Sequence, residues 1–193
     1  MRCPKSHNCK WIAPRQSIGL THKKFAAKLH AKGNLLIWPS KINYIITKFG
    51  NIIKLPSNLN RNLSGIIMLA ETYNIDDNGK LFKAITLLPG DSPYRLIPYI
   101  ENISFHGLVA SHHGGNYRGD IPPLPHAIHT IAYSYGNGNS YGHPSNASVN
   151  RHFGVGWNYR LDTPNGNIAL GIARRAVQWN PCLNICDLQL EQT

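Results

Sequence analysis

Four side chains in this sequence join reactive chemistry to exposed positions: Asp91, the vicinal pair His112 and His113, and His143. Each follows an apolar run of strand length and sits among glycines and prolines, in "ITLLPGDSP", "GLVASHHGGN" and "AYSYGNGNSYGHPS". A carboxylate and imidazoles at strand ends are a common donor set for Zn²⁺, Mn²⁺ or Fe. Glycines beside each donor let the backbone approach a metal or substrate closely. Pro89 and Pro144 stiffen the presenting turns. Each motif also has a plain structural reading: Gly-Asp makes turns, Asp91 can cap the helix after it, and histidines are frequent in loops. What sets the four apart is their shared position after three successive strands.

The elements that must hold them follow from local pattern. "NLLIWP" predicts a short buried strand after a helix from Thr21 to about Lys32, with Thr21 as its cap and Gly33 as its stop. "YIITKFGNIIKL" predicts a hairpin about a Phe-Gly-Asn turn, and "SGIIMLAETY" with "KLFKAITLL" a stronger one, with Asn78-Gly79 supplying the positive φ angles. Residues 93–103 allow a short helix. "HGLVAS" and "AIHTIAYSY" read as strands, residues 145–153 as a helix capped by Ser145, and "WNYRL" with "NIALGI" as a closing hairpin. Residues 1–19 read as an irregular lead. Hairpins interrupted by helices, with no internal repeat or linker, predict one α/β (α+β) domain with its loops gathered at one edge.

The totals narrow the function classes. At 193 residues the chain suffices for one medium domain and is short for two. No apolar run reaches the roughly 18 residues of a membrane span, and no charged-then-apolar leader is visible. A cytoplasmic protein without membrane partners is expected. The net charge of +11 is concentrated: twelve of the twenty Lys and Arg precede Glu71, the first acid. A field of that sign attracts polyanions, nucleic acid first, which makes residues 1–61 a candidate nucleic-acid contact. A solvated basic face is the alternative. Trp11, Phe25, Trp38 and Tyr44 interleave with the lysines as stacking platforms could, though aromatic residues at such spacing also build cores. Cys3, Cys9, Cys182 and Cys186 lie at the two ends in spacings that match no common zinc module, and are read as thiols.

"ITLLPGDSPYRLIP", "GLVASHHGGNYRGDIPP" and "IAYSYGNGNSYGHPSNASVNRHFGVGWNYRLDTPNGNIALGI" together resemble the later half of metallo-β-lactamase-fold hydrolases. The nearest type is the C-terminal domain of ComEC-like competence proteins and its stand-alone relatives. That group shows a strand then Gly-Asp, a strand then His-His-Gly, a strand then Ser-x-Gly-x-x-Asn-x-x-Gly-His-Pro, a helix and a closing hairpin. The run agrees in order over about residues 62–172, with Leu161 standing where Thr or Ser is usual. The resemblance implies a partial αββα sandwich with a mixed sheet, hairpins and flanking helices. It implies that Asp91 is a metal-bridging carboxylate and His143 the late histidine ligand, these two being the catalytic candidates. His112 and His113 line the site as ligand, outer-shell group or substrate contact. In the intact family the cofactor would be Zn²⁺ or Mn²⁺, and the chemistry hydrolysis of a phosphodiester or another anionic ester.

One departure governs what to expect. The family's principal metal motif, His-x-His-x-Asp-His at the end of an early strand, has no counterpart in residues 1–61, where His7, His22 and His30 are isolated and no Asp occurs. Asp91, His143 and one of the pair supply three protein ligands at most. That predicts a single weakly held metal rather than two, and a truncated hydrolase without activity of its own. The alternatives are a module completed by a partner chain that carries the missing half, and a basic nucleic-acid-binding module without catalysis. The expected organisation is a single domain, 1–193: a basic lead with helix and first hairpin (1–61), the segment resembling the hydrolase (62–172) and a C-terminal extension (173–193). One face of the hairpins between Tyr44 and Leu87 is expected to lie bare.

Overall fold

The computed structural model of the chain describes residues 8–13, 18–39, 41–76, 78–166 and 170. The architecture is mixed α/β. Two helices accompany a two-stranded sheet and a seven-stranded mixed sheet. Cys3, Cys182, Cys186, the C-terminal extension and the second arm of the closing hairpin lie outside the described residues.

The lead is more ordered than its prolines suggest. Strand β1 (Trp11–Ala13) pairs in parallel with β2 (Leu35–Ile37), joined by α1 (Leu20–Ala31). Parallel neighbours need a crossover, and the helix supplies it. The helix begins one residue before Thr21: Gly19 is the N-cap, with no side-chain cap bond. Gly33 follows at φ +65°, as expected of a helix stop. Phe25 meets the Trp11 ring edge-on at 5.2 Å, and Leu29 and Trp38 are buried. These aromatic residues serve packing.

The large sheet runs β3 (Tyr44–Thr47), β4 (Gly50–Lys54), β5 (Ile66–Ile75), β6 (Leu81–Leu88), β7 (Phe105–Val109), β8 (Pro125–Tyr133) and β9 (Arg160–Asp162), in spatial order. The first four are antiparallel and the last four mutually parallel. Both expected hairpins form, with two corrections. The first turns at Lys48-Phe49, because Thr47 pairs with Gly50. Gly50 belongs to β4, at φ +125°, where a Cβ would lie 1.9 Å from the Leu69 carbonyl oxygen. In the second hairpin Gly79 takes a positive φ and Asn78 does not. The loop is closed by the Asp76 carboxylate, which accepts from the Asn78 and Lys80 amides at 3.0 and 2.8 Å.

Residues 93–103 hold two 3-10 turns, Tyr94–Leu96 and Ile100–Asn102, instead of a helix. Pro93 and Pro98 in this span explain the break. Helix α2 (Asn146–Gly154) forms as expected, its Ser145 hydroxyl accepting from the Ser148 amide at 3.2 Å. The core gathers on one face of the sheet. Ile67, Leu87, Leu108 and Ile131 from four neighbouring strands pack with Tyr94, Ile97 and Ile100 from the crossover and with Trp157.

The parallel half has a direct consequence for function. Strands β6, β7 and β8 run the same way, so the loops after Leu88, Val109 and Tyr133 emerge at one edge of the sheet. Ligands in open α/β sheets bind outside the carboxyl ends of such strands.

Candidate functional site

All four sequence-predicted site residues converge at that edge. The His113 Nε2 atom lies 3.8 Å from Asp91 Oδ1. The His143 ring centroid is 5.1 Å from that of His112 and 6.5 Å from that of His113. Asp91 and His113 are exposed, while His112 and His143 are half-buried.

The loops are laced together by backbone bonds. The His112 amide donates to the Gly90 carbonyl at 2.9 Å, and the Ser145 amide to the Gly114 carbonyl at 3.0 Å. The Tyr117 hydroxyl donates to the Asp91 carbonyl. Tyr117 also stacks on His112 at 5.3 Å.

The vicinal histidines sit in an unusual backbone. His112 (φ 48°, ψ 43°) and His113 (φ 57°, ψ 22°) are both left-handed. Each such residue carries a conformational cost on the order of 1 kcal/mol, and persists only where its surroundings over-determine it. Gly114 continues the turn at φ +82°, where a Cβ would lie 2.5 Å from Pro144 and 2.7 Å from the Tyr133 ring. The chain has no room for a side chain at this point. The turn sets the two imidazoles side by side, His113 exposed and His112 half-buried against Tyr117.

Hydrogen bonding fixes which nitrogen of His113 is available. Its Nδ1 lies 2.5 Å from the Ser134 carbonyl oxygen, which can only accept, so Nδ1 carries the proton. In the neutral ring Nε2 then holds a lone pair aimed at the Asp91 carboxylate. Two electron-rich atoms facing each other call for a cation between them or a proton on the imidazole. A histidine that donates one N–H to a backbone carbonyl and presents its other nitrogen is the usual arrangement of a metal-binding imidazole.

His143 offers a second sign. Its Nδ1 is buried and has no hydrogen-bond partner among the described residues. Such orphans are rare in folded proteins. Burial, then the neighbouring His112 and His113, hold its pKa below the ordinary value against the opposing pull of Asp91. The shift favours the neutral ring, the form that ligates a metal. Asn139 holds the residue in place: its side-chain carbonyl accepts from the His143 amide at 2.9 Å and its amide donates to the His143 carbonyl at 2.8 Å.

A buried histidine outside the expected set ties the loops from beneath. His152 Nδ1 faces the Ser148 carbonyl at 2.8 Å and the Tyr133 hydroxyl at 2.9 Å. Because that carbonyl only accepts, Nδ1 is protonated and Nε2 accepts from the Tyr94 hydroxyl at 2.8 Å. The same hydroxyl oxygen accepts from the Ser111 amide at 3.0 Å, one residue before the strained pair. Burial lowers the His152 pKa to about 4, the Ser148 contact opposing and Arg151 assisting. Burial also raises the Tyr94 and Tyr133 hydroxyls well above their ordinary range, so both stay neutral, Tyr94 donating to Nε2 and Tyr133 facing Nδ1–H as an acceptor. Asp120, likewise buried, accepts from the Tyr94 and Arg95 amides at 2.8 and 3.0 Å and fixes the 3-10 turn that follows Asp91.

Sequence reasoning passed over His152, Tyr94, Tyr117 and Asp120. Ser134 and Asn139 lay within the Ser-x-Gly-x-x-Asn-x-x-Gly-His-Pro run, and that run was the available signal for them. Among the described residues no group of three or more His, Cys, Asp or Glu is arranged to hold a metal ion. The residue types present, a histidine with a committed tautomer facing a carboxylate and a second histidine with an unpartnered nitrogen, are those that ligate divalent ions, but they are not drawn into a coordination shell. No protein family, curated protein or solved structure matches this chain.

Proposed function

We propose that the chain carries the later half of a metal-dependent hydrolase site, related to the metallo-β-lactamase fold, and that it does not hydrolyse its substrate alone. The observation that carries this reading is the His113–Asp91 pair. His113 Nε2 and Asp91 Oδ1 face each other at 3.8 Å, with the other ring nitrogen already committed to Ser134. Asp91, His113 and His143 would hold one Zn²⁺ or Mn²⁺, with His112 beside them. A bound metal in such a site activates water near neutral pH and polarises an anionic ester. What this chain contributes is placement: Asn139 fixes His143, Ser134 selects the His113 tautomer, and His152 braces the turn between them. The ligands that would complete a two-metal site come from another segment or a partner chain carrying the missing His-x-His-x-Asp-His.

Calorimetric titration of the full chain with Zn²⁺ or Mn²⁺ tests this. One weak equivalent is expected, weakened at least about tenfold in Asp91→Ala and His143→Ala, since each removes a ligand. No turnover of an activated phosphodiester is expected. Equal metal uptake by the wild type and Asp91→Ala would overturn the reading.

A further inference from the structure

The basic first third provides an observation independent of the histidine cluster. Nine of its Lys and Arg residues lie among the described residues: Lys10, Lys23, Lys24, Lys28, Lys32, Lys41, Lys48, Lys54 and Arg61. Within the described residues none of them forms an ion pair; the four pairs present all involve residues from Glu71 onward.

Helix α1 concentrates this charge. Lys24 and Lys28 lie one turn apart, and Lys32 lies a turn further at the C-cap, all exposed. Residues four apart are neighbours on a helix surface, and like charges there destabilise it. The first turn has no acid to offset the macrodipole, which also disfavours Lys23 and Lys24 near the N-terminus. The helix thus holds a row of cations against local electrostatics with no ion-pair partner among the described residues. The row spans about 12 Å, at about 1.5 Å per residue. Duplex nucleic acid presents one phosphate about every 3.4 Å along each strand, so the row can meet several at once.

An anionic membrane is the competing polyanion. Membrane-surface helices turn an apolar face into the lipid. In α1 that face is already used, with Phe25 against Trp11 and Leu29 buried.

We infer that the lysine row Lys24, Lys28 and Lys32 docks the phosphate backbone of a nucleic-acid duplex. Backbone chemistry is common to DNA and RNA, so both are probes. Fluorescence anisotropy with labelled mixed-sequence DNA and RNA duplexes, across a potassium chloride series, reads affinity and its salt slope. Binding that weakens with salt is expected. K24Q/K28Q/K32Q removes three phosphate contacts while keeping good helix formers, and should flatten the log–log slope by about 2.7 and weaken binding at least about tenfold. Tighter binding to one duplex names the nucleic acid. K24Q/K28Q/K32Q should take up Zn²⁺ as the wild type does, which separates this result from the fate of the histidine site. The inference is overturned by salt-independent binding, by a triple variant that matches the wild type in duplex binding, or by capture on phosphatidylserine vesicles without duplex binding.

Discussion

At the scale of single residues, Asn139 shows how a loop with little regular structure can position a ligand. Its one amide group satisfies both the N–H and the C=O of His143, at 2.9 and 2.8 Å. Removing it leaves two partly buried backbone groups to find new partners, at about 1 to 3 kcal/mol. Asn139→Ala should therefore lower the free energy of unfolding in urea by that amount and weaken divalent-metal uptake together with it. A loss below about 0.5 kcal/mol would show that the clamp contributes little. The reactive residue types were legible in the sequence because carboxylates and imidazoles after strands are informative in themselves. The conformation of His112 and His113 was not, since local propensity argues against two left-handed non-glycine residues in a row. It arises from bonds to distant partners: Gly90, Ser134 and, through Gly114, Ser145. The His113 tautomer is equally non-local, and so is the brace from His152, 40 residues downstream of His112.

At the scale of elements, the second hairpin, the strands in "HGLVAS" and "AIHTIAYSY", and helix α2 were readable, because periodicity, turn residues and a serine cap are local signals. Strand order was not. Nothing in a short run of apolar residues says whether its neighbour is parallel, and here the change from antiparallel to parallel pairing at β6 brings the loops together. Helix α2 adds a pH dependence that the sequence did not announce. His152 is held neutral by burial, with its pKa lowered from 6.5 to about 4. In the unfolded chain it protonates at its ordinary value, so as pH falls the unfolded state takes up the proton first. The stability contributed by the neutral ring is complete above about pH 6.5, declines between 6.5 and 4, and then levels off about 3 kcal/mol lower. His106, stacked on His126 at 4.0 Å and also lowered to about 4, first by burial and then by its neighbour, adds in the same direction. Urea denaturation of the wild type and His152→Gln between pH 7.5 and 4.5 isolates the His152 share. The variant should be less stable at neutral pH and should lose less on acidification. Parallel pH profiles would remove His152 from the account.

At the scale of the whole molecule, stability is distributed unevenly, and the sheet register shows where. Strand β4 pairs with β5 only as far as Ala70, and the Glu71 amide still donates to the Phe49 carbonyl at 2.8 Å, so it is residues 72–75 whose only strand partner among the described residues is β6. On the face that buries Ile67 and Leu87 further along, this arm presents Tyr73, Ile75 and Leu81 at 68, 69 and 61 % exposure. The bare apolar surface expected from the sequence thus shows at the hairpin tip, and again on the edge strand β3, where Tyr44 and Ile46 are 60 and 73 % exposed. The tip's one charged anchor is the exposed Lys83–Glu71 pair at 3.2 Å, and such pairs add little. The interior half of the same strands is different: Ile67, Leu87, Leu108 and Ile131 form a continuous row across β5 to β8, covered by Tyr94, Ile97 and Trp157. A two-stranded arm without a packed face opens locally, whereas strands that share a core open only with the molecule. Hydrogen–deuterium exchange should therefore divide β5 and β6 within their own lengths. Amides of residues 72–81 should exchange at least about tenfold faster than those of 67–70 and 84–88, and the latter should share the protection of β7 and β8. Removing apolar groups should follow the same division: Leu87→Ala is expected to lose about 2 to 5 kcal/mol and Ile75→Thr about 0.5 kcal/mol or less. Uniform protection along the hairpin, in the full chain at a concentration where it is monomeric, would mean that the arm has a packed face, and the uneven stability argued from register and exposure would be wrong.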